Sequence, residues 1–183
     1  MKRKFLQLLG VCLAGTSAWA LAHGPHVHGT GELHVAVENN NLDIEFNSPL
    51  HNLLGFEHAP RTDTQRAAVK AMMARLNKPG VLFKLPKAAS CTAGTVHVDS
   101  RLDEAPAAPS KSANAAPKGG DDDDHADLTA TFGFVCASMD KLDSIEVAIF
   151  GAFPGTKTLK AEIIGPRGQS AATLSPTRRV IKF

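Results

Sequence analysis

From residue 31 to residue 46 apolar and polar positions alternate. Leu33, Val35 and Val37 fall on one side, and His34, Ala36 and Glu38 on the other. A period of two is what a strand with one buried face requires. Asn39-Asn40-Asn41 then turns the chain into Leu42-Asp43-Ile44-Glu45-Phe46, which predicts a hairpin. Pro49 is expected to open a short helical turn ahead of Leu53-Leu54-Gly55-Phe56-Glu57. At Thr62 the period becomes helical: Val69, Met72, Met73 and Leu76 share a face, and Thr62 with Gln65 three residues on forms a capping box. Asn77 and Pro79 stop this helix, predicted over about 62–77.

Further strands are expected over residues 81–85 and 94–99, with Cys91 in the loop between them. The pattern then lapses. Residues 103–120 are rich in Ala, Pro, Ser, Lys and Gly, and they run into Asp121-Asp122-Asp123-Asp124-His125-Ala126-Asp127, so a mobile, solvated insertion is expected at about 103–127. Beyond it Leu128, Ala130, Phe132, Phe134 and Cys136 share one strand face, and residues 145–150, 159–164, 170–174 and 178–183 continue the β pattern between turns at Pro154-Gly155 and Gly165-Pro166-Arg167-Gly168. The expected fold class is α+β: β-dominated, with a mostly antiparallel sheet, one main helix and a disordered central loop.

The amino terminus changes the picture. Lys2-Arg3-Lys4, a short apolar run and Ala20-Leu21-Ala22 read as a cleavable export signal over residues 1–22. The apolar run is interrupted by Gly10, Gly15, Thr16 and Ser17 and falls short of the roughly 20 residues that a membrane-crossing helix needs. Of the 183 residues, 161 follow the leader, a length suited to one domain over 23–183. The cut removes Cys12 and leaves Cys91 and Cys136, an even pair that in an exported chain is expected to form a disulfide. It also removes three cations, taking the net charge from +2 to −1. With no basic patch, no Tyr and the one Trp in the leader, nucleic-acid binding is excluded.

The new terminus would be His23-Gly24-Pro25-His26-Val27-His28-Gly29, which sets three imidazoles and a free α-amine within seven residues. Imidazole nitrogen favours Zn(II), Cu(II) or Ni(II) over Ca(II) or Mg(II). In an extended segment His26, His28 and His34 have the same parity and would line one face, where a remote His or carboxylate could complete a tetrahedral zinc site. His51 and the neighbouring Glu57 and His58 are candidates to complete it. Glu57 and His58 fit better as ligand and supporting partner than as two ligands to one ion, because adjacent residues on a helix face apart. His125 and Asp127, beside the acidic run, are further candidates, whereas His97 reads as structural.

These landmarks, taken in order, resemble the ZrgA-like family of periplasmic zinc-uptake proteins. The resemblance rests on His26-Val27-His28-Gly29 leading into Gly31-Glu32-Leu33, on Ser48-Pro49 with Leu53-Leu54-Gly55-Phe56-Glu57-His58, on Cys91, and on His125-Ala126-Asp127-Leu128 with Phe134-Val135-Cys136. It implies capture of Zn(II) in the periplasm, without catalysis, and delivery to envelope transporter components, either an outer-membrane receptor or an inner-membrane permease. The family typically carries a long histidine-rich central loop. This chain has Asp121 to Asp124 and the single His125 there, which shifts the expected binding to the N-terminal histidines and His58. Because protons compete with metal for imidazole near a pKa of roughly 6.5, such a site is expected to empty below about pH 6.

Two other readings fit the residues. His23 with a second histidine meets the first requirement of a copper brace in an exported oxidoreductase or copper carrier, although the chain has no Tyr to sit axially. An exported β-sheet adaptor without metal is the other. His-Glu-x-x-His, Gly-x-Ser-x-Gly and a phosphate-cradling Gly-rich loop are all missing from the sequence.

Overall fold

The computed structural model describes residues 27–100, 102 and 126–183. The leader, His23, His26, His125 and nearly all of the predicted insertion lie outside the described residues. The hairpin is β1 (Thr30–Glu38) and β2 (Asn41–Pro49), paired antiparallel with Val35 opposite Ile44. Alternation there does what the pattern demanded: Leu33, Val35, Leu42, Ile44 and Phe46 are buried, while Glu32, Ala36 and Asp43 are exposed. Pro49 opens α1 (Leu50–Leu54), which Gly55 ends in the left-handed region at φ 81°.

The main helix, α2 (Asp63–Leu76), starts at the expected capping box, with the Thr62 side chain accepting from Gln65 N and the Gln65 side chain accepting from Thr62 N. Its Met72 and Leu76 reach the core and Val69 and Met73 pack partly against it. Pro79 does more than stop α2. Its fixed φ suits the first position of a helix, and it begins a further turn, α3 (Pro79–Leu82). Only the two residues of β3 (Phe83–Lys84) are then extended, so the strand expected over 81–85 begins as helical turn at Val81 and Leu82 and is cut to two residues. A short apolar run does not distinguish strand from buried helix.

β4 (Cys91–Ser100) starts at Cys91, so this cysteine lies within the strand and not in the loop before it. β5 (Asp127–Cys136) buries the five residues expected on one face, from Leu128 to Cys136. β6 (Ser144–Val147) is shorter than the strand expected over 145–150, because the chain turns into α4 (Ile149–Ala152), which buries Ile149 and Phe150. β7 (Thr158–Gly165), β8 (Gly168–Leu174) and β9 (Val180–Lys182) complete the chain.

The strands form two sheets, one ordered β4-β5-β2-β1-β7-β8 and a small one ordered β3-β6-β9. The large sheet is mixed: β1 runs parallel to β7, and its other pairs are antiparallel. Local alternation does not reveal this neighbour, which is distant in the chain. One face of the large sheet packs on the helices and the small sheet in a continuous apolar cluster, and Phe83 meets Phe132 edge to face at 5.1 Å between ring centroids.

β4 is an edge strand, mostly exposed, with only Val96 and Val98 packed against the core on its central stretch. Cys91 and Cys136 lie directly opposite one another and are joined by the disulfide. The bridge closes a 45-residue separation, worth about 4 kcal/mol if loop entropy governs. Reduction, or a Cys91→Ala/Cys136→Ala variant, is expected to lower stability by about 2–4 kcal/mol, read from urea unfolding with and without dithiothreitol. A dithiothreitol-insensitive midpoint would show that the bridge contributes little.

At the other end of the sheet the loop from Pro154 to Lys157 presses on α1. A Cβ at Gly155 would collide with the Asn52 carbonyl oxygen and lie 2.9 Å from its carbon. Both obstacles are backbone, so they cannot swing away. Gly155→Ala is expected to cost about 1–3 kcal/mol by overpacking. Gly151→Ala, within α4 and with nothing near its added methyl, should be neutral or stabilising by up to about 1 kcal/mol. Thermal unfolding of the two variants side by side checks the contrast.

Candidate metal centre

Residues 27–30 make a tight turn, closed by the Thr30 N–H donating to the Val27 carbonyl at 2.9 Å. Gly29 sits at φ +85°, a conformation that side-chain-bearing residues rarely adopt. The segment is therefore not extended between His28 and β1, and the common face expected to join His28 to His34 is broken at this turn. His28 instead reaches α1.

Two contacts define its place. The His28 ring stacks on that of His51 with centroids 4.2 Å apart and planes 12° from parallel. Its Nε2 lies 3.1 Å from Glu57 Oε1. His51 lies in the first turn of α1, which the left-handed Gly55 ends, and Glu57 two residues on reaches His28. The Glu57 side chain is only 13% exposed, whereas that of His28 is 50% exposed. Two imidazoles and a carboxylate from sites 23 and 29 residues along the chain from His28 thus meet at one corner of the molecule.

The floor beneath them is built by Asn52, whose side chain was not picked out by motif or period. It is 2% exposed. Its Oδ1 accepts from Gly29 N at 2.6 Å, and its Nδ2 donates to Thr30 O at 2.9 Å and to Ser48 Oγ at 3.1 Å. Gly29 O accepts from Lys157 N at 2.7 Å and Thr158 N at 2.9 Å. The His28-bearing turn is held from both sides, by α1 and by the loop ahead of β7. Asn52 follows His51 directly, and its one sequence clue is that the two polar residues interrupt the apolar run in Leu50-His51-Asn52-Leu53-Leu54.

The other candidates are placed as follows. His58 Nδ1 lies 2.9 Å from the Ala59 carbonyl, which can only accept, so Nδ1 carries the proton and a neutral ring keeps its lone pair on Nε2. Its ring stacks on Phe56 at 5.3 Å. Asp127 opens β5 opposite Pro49, and Ala126 O accepts from Leu50 N at 2.9 Å, so the chain following His125 joins the fold at the start of α1.

His34 is elsewhere. It lies on the exposed face of the large sheet, registered opposite Glu45 on one side and Glu162 on the other, with Nδ1 3.4 Å from Glu162 Oε2. It lines a shallow groove of about 240 Å³ with Asp43, Glu45 and Thr131. Four residues of strand separate it from Thr30, roughly 13 Å. His97 is exposed on β4 opposite Thr131, away from the corner at His28.

Chemically, two imidazole nitrogens and a carboxylate suit a borderline ion such as Zn(II). Stacked rings, however, present their edges side by side. Among the described residues no group of three or more His, Cys, Asp or Glu side chains is placed to hold a metal ion. The corner is a partial donor set, one that lacks convergence or further donors.

The comparisons with known proteins point the same way as the landmarks. No curated relative matches the chain. A family model described as "ZrgA family zinc uptake protein" matches residues 25–183, from the N-terminal histidine segment through the last strand. The chain belongs to the ZrgA family of zinc uptake proteins.

Proposed function

We propose that this protein captures Zn(II) in the periplasm, after loss of residues 1–22, and passes it to an envelope transporter component without catalysing a reaction. The observation that carries this reading is the meeting of His28, His51 and Glu57 at one corner, in a member of a zinc-uptake family. Zinc is the cargo. His28 and His51 offer nitrogen lone pairs, and Glu57 either shares the ion or fixes the His28 tautomer from behind, as carboxylates beside metal-bound imidazoles do.

A four-coordinate site needs donors beyond these three. His23 and His26 lie just ahead of the described turn in the sequence, and His125 directly precedes Ala126, which is bonded to α1. Candidate donors are therefore carried on both chain segments that join the fold at this corner. His58, a few residues from Glu57, is another.

Release matters as much as capture for a carrier. The His28 side chain is half exposed, which leaves the corner within reach of a partner's ligands, and protons compete with the ion for imidazole.

Calorimetric zinc titration of the full chain tests the proposal. His28→Ala/His51→Ala is expected to weaken zinc at least tenfold, and Glu57→Gln by about tenfold. His34→Ala should bind within twofold of the parent. Affinity should be lower at pH 5.5 than at pH 7.5 because protons displace the metal. Unchanged affinity in the double variant would overturn the proposed site. Peroxide formation with copper, ascorbate and oxygen would instead favour the redox alternative.

A further inference from the structure

We infer that Asn52 is the positioning residue of this centre: it holds His28 against His51 and, through His28, sets the affinity for zinc. The inference rests on the zinc reading above. A single buried amide ties the backbone immediately after one imidazole to the residue immediately after the other. It spends both ends doing so, accepting from Gly29 N and donating to Thr30 O and Ser48 Oγ.

Other features of the corner direct the same turn. Gly29 adopts a positive φ, and its carbonyl accepts two N–H groups from the loop ahead of β7. That loop packs so closely on the Asn52 backbone that only glycine fits at position 155. The Asn52 bonds and the loop bonds converge on the backbone that carries His28, not on the exposed ring itself, and the Gly155 contact backs the Asn52 backbone from behind.

The physical consequence is preorganisation. Two imidazoles on independently moving segments lose backbone and rotamer freedom when one ion gathers them, and that loss subtracts from affinity. With the turn already fixed on α1, only the side chains remain to be ordered. Asn52 need not touch zinc to do this.

The test is a double-mutant cycle read by zinc calorimetry on the full chain. Asn52→Ala is expected to weaken zinc at least tenfold in the parent and less than twofold in a His28→Ala background, since a residue acting through His28 has nothing left to position. A role confined to stability would give the same loss in both. Asn52→Asp keeps an acceptor for Gly29 N and loses both donated bonds. It serves if Asn52→Ala fails to fold, and its loss should likewise vanish without His28. In the metal-free chain, the ring-current shifts of the stacked His28 and His51 protons should collapse toward ordinary values in the Asn52 variants while circular dichroism keeps the β signature. Equal losses in both backgrounds, or parent-like affinity in the Asn52 variants, overturn the positioning role. Parent-like affinity of His28→Ala alone overturns the zinc reading beneath it.

Discussion

β1 has neighbours on both sides, β2 antiparallel and β7 parallel, and this double pairing governs where the histidine-bearing end of the chain can be. A strand side chain flips faces if its register slips by one residue. In β1 such a slip would expose Leu33 and Val35, which are almost fully buried, at a cost of about 1.5–3 kcal/mol for each. The register is consequently locked, and so is the point at which residues 27–30 leave the sheet. That exit lies over α1 because β2 runs back beside β1 and hands the chain to Pro49. The hairpin that looks like plain scaffold is the element that brings His28 to His51.

What the sequence disclosed follows from how local each signal is. The alternation of β1, β2 and β5 and the capping box of α2 are carried by neighbours in the chain, and they reappear in the fold at nearly the expected residues. The cysteine pair was legible because Cys91 and Cys136 are the two cysteines outside the expected leader, which leaves one pairing. The neighbour relation between β1 and β7 was not, since nothing in either segment encodes its partner's direction. Residues 81–85 misled for a different reason: a short apolar stretch after a proline suits either a strand or a turn of helix, and the core accepts Leu82 and Phe83 from a helical turn leading into a two-residue strand.

The candidate centre was legible in composition and not in arrangement. His28, His51 and Glu57 all stood out by residue type, yet parity grouped His28 with His34. Parity holds only while the backbone stays extended, and Gly29 with its positive φ breaks that extension between His28 and the strand that carries His34. His34 then falls on the outer sheet face beside Glu162, in the row its strand dictates. Asn52 was invisible because a polar residue in so short a helix carries no period and no spacing. Its meaning lies in its bonds to Gly29 and Thr30, 23 and 22 residues away, and to Ser48.

A protein that carries an ion faces two demands that oppose each other. Tight capture wants donors fixed in advance, and release wants them open to water and to a competing partner. On the proposed reading, the corner at His28 separates these demands by depth. Its buried layer is amide, backbone and glycine: Asn52 is 2% exposed, Gly29 is bonded through both its N–H and its carbonyl, and Gly155 seals the back. Its outer layer is imidazole, with the His28 side chain half exposed. In a zinc carrier, rigidity in the first layer would lower the entropic cost of gathering donors, and exposure in the second would let protons and other ligands compete for the ion. Burying the imidazoles as well would add their desolvation to the cost of every protonated intermediate on the way out, and a carrier built that way would hold its cargo too long to deliver it.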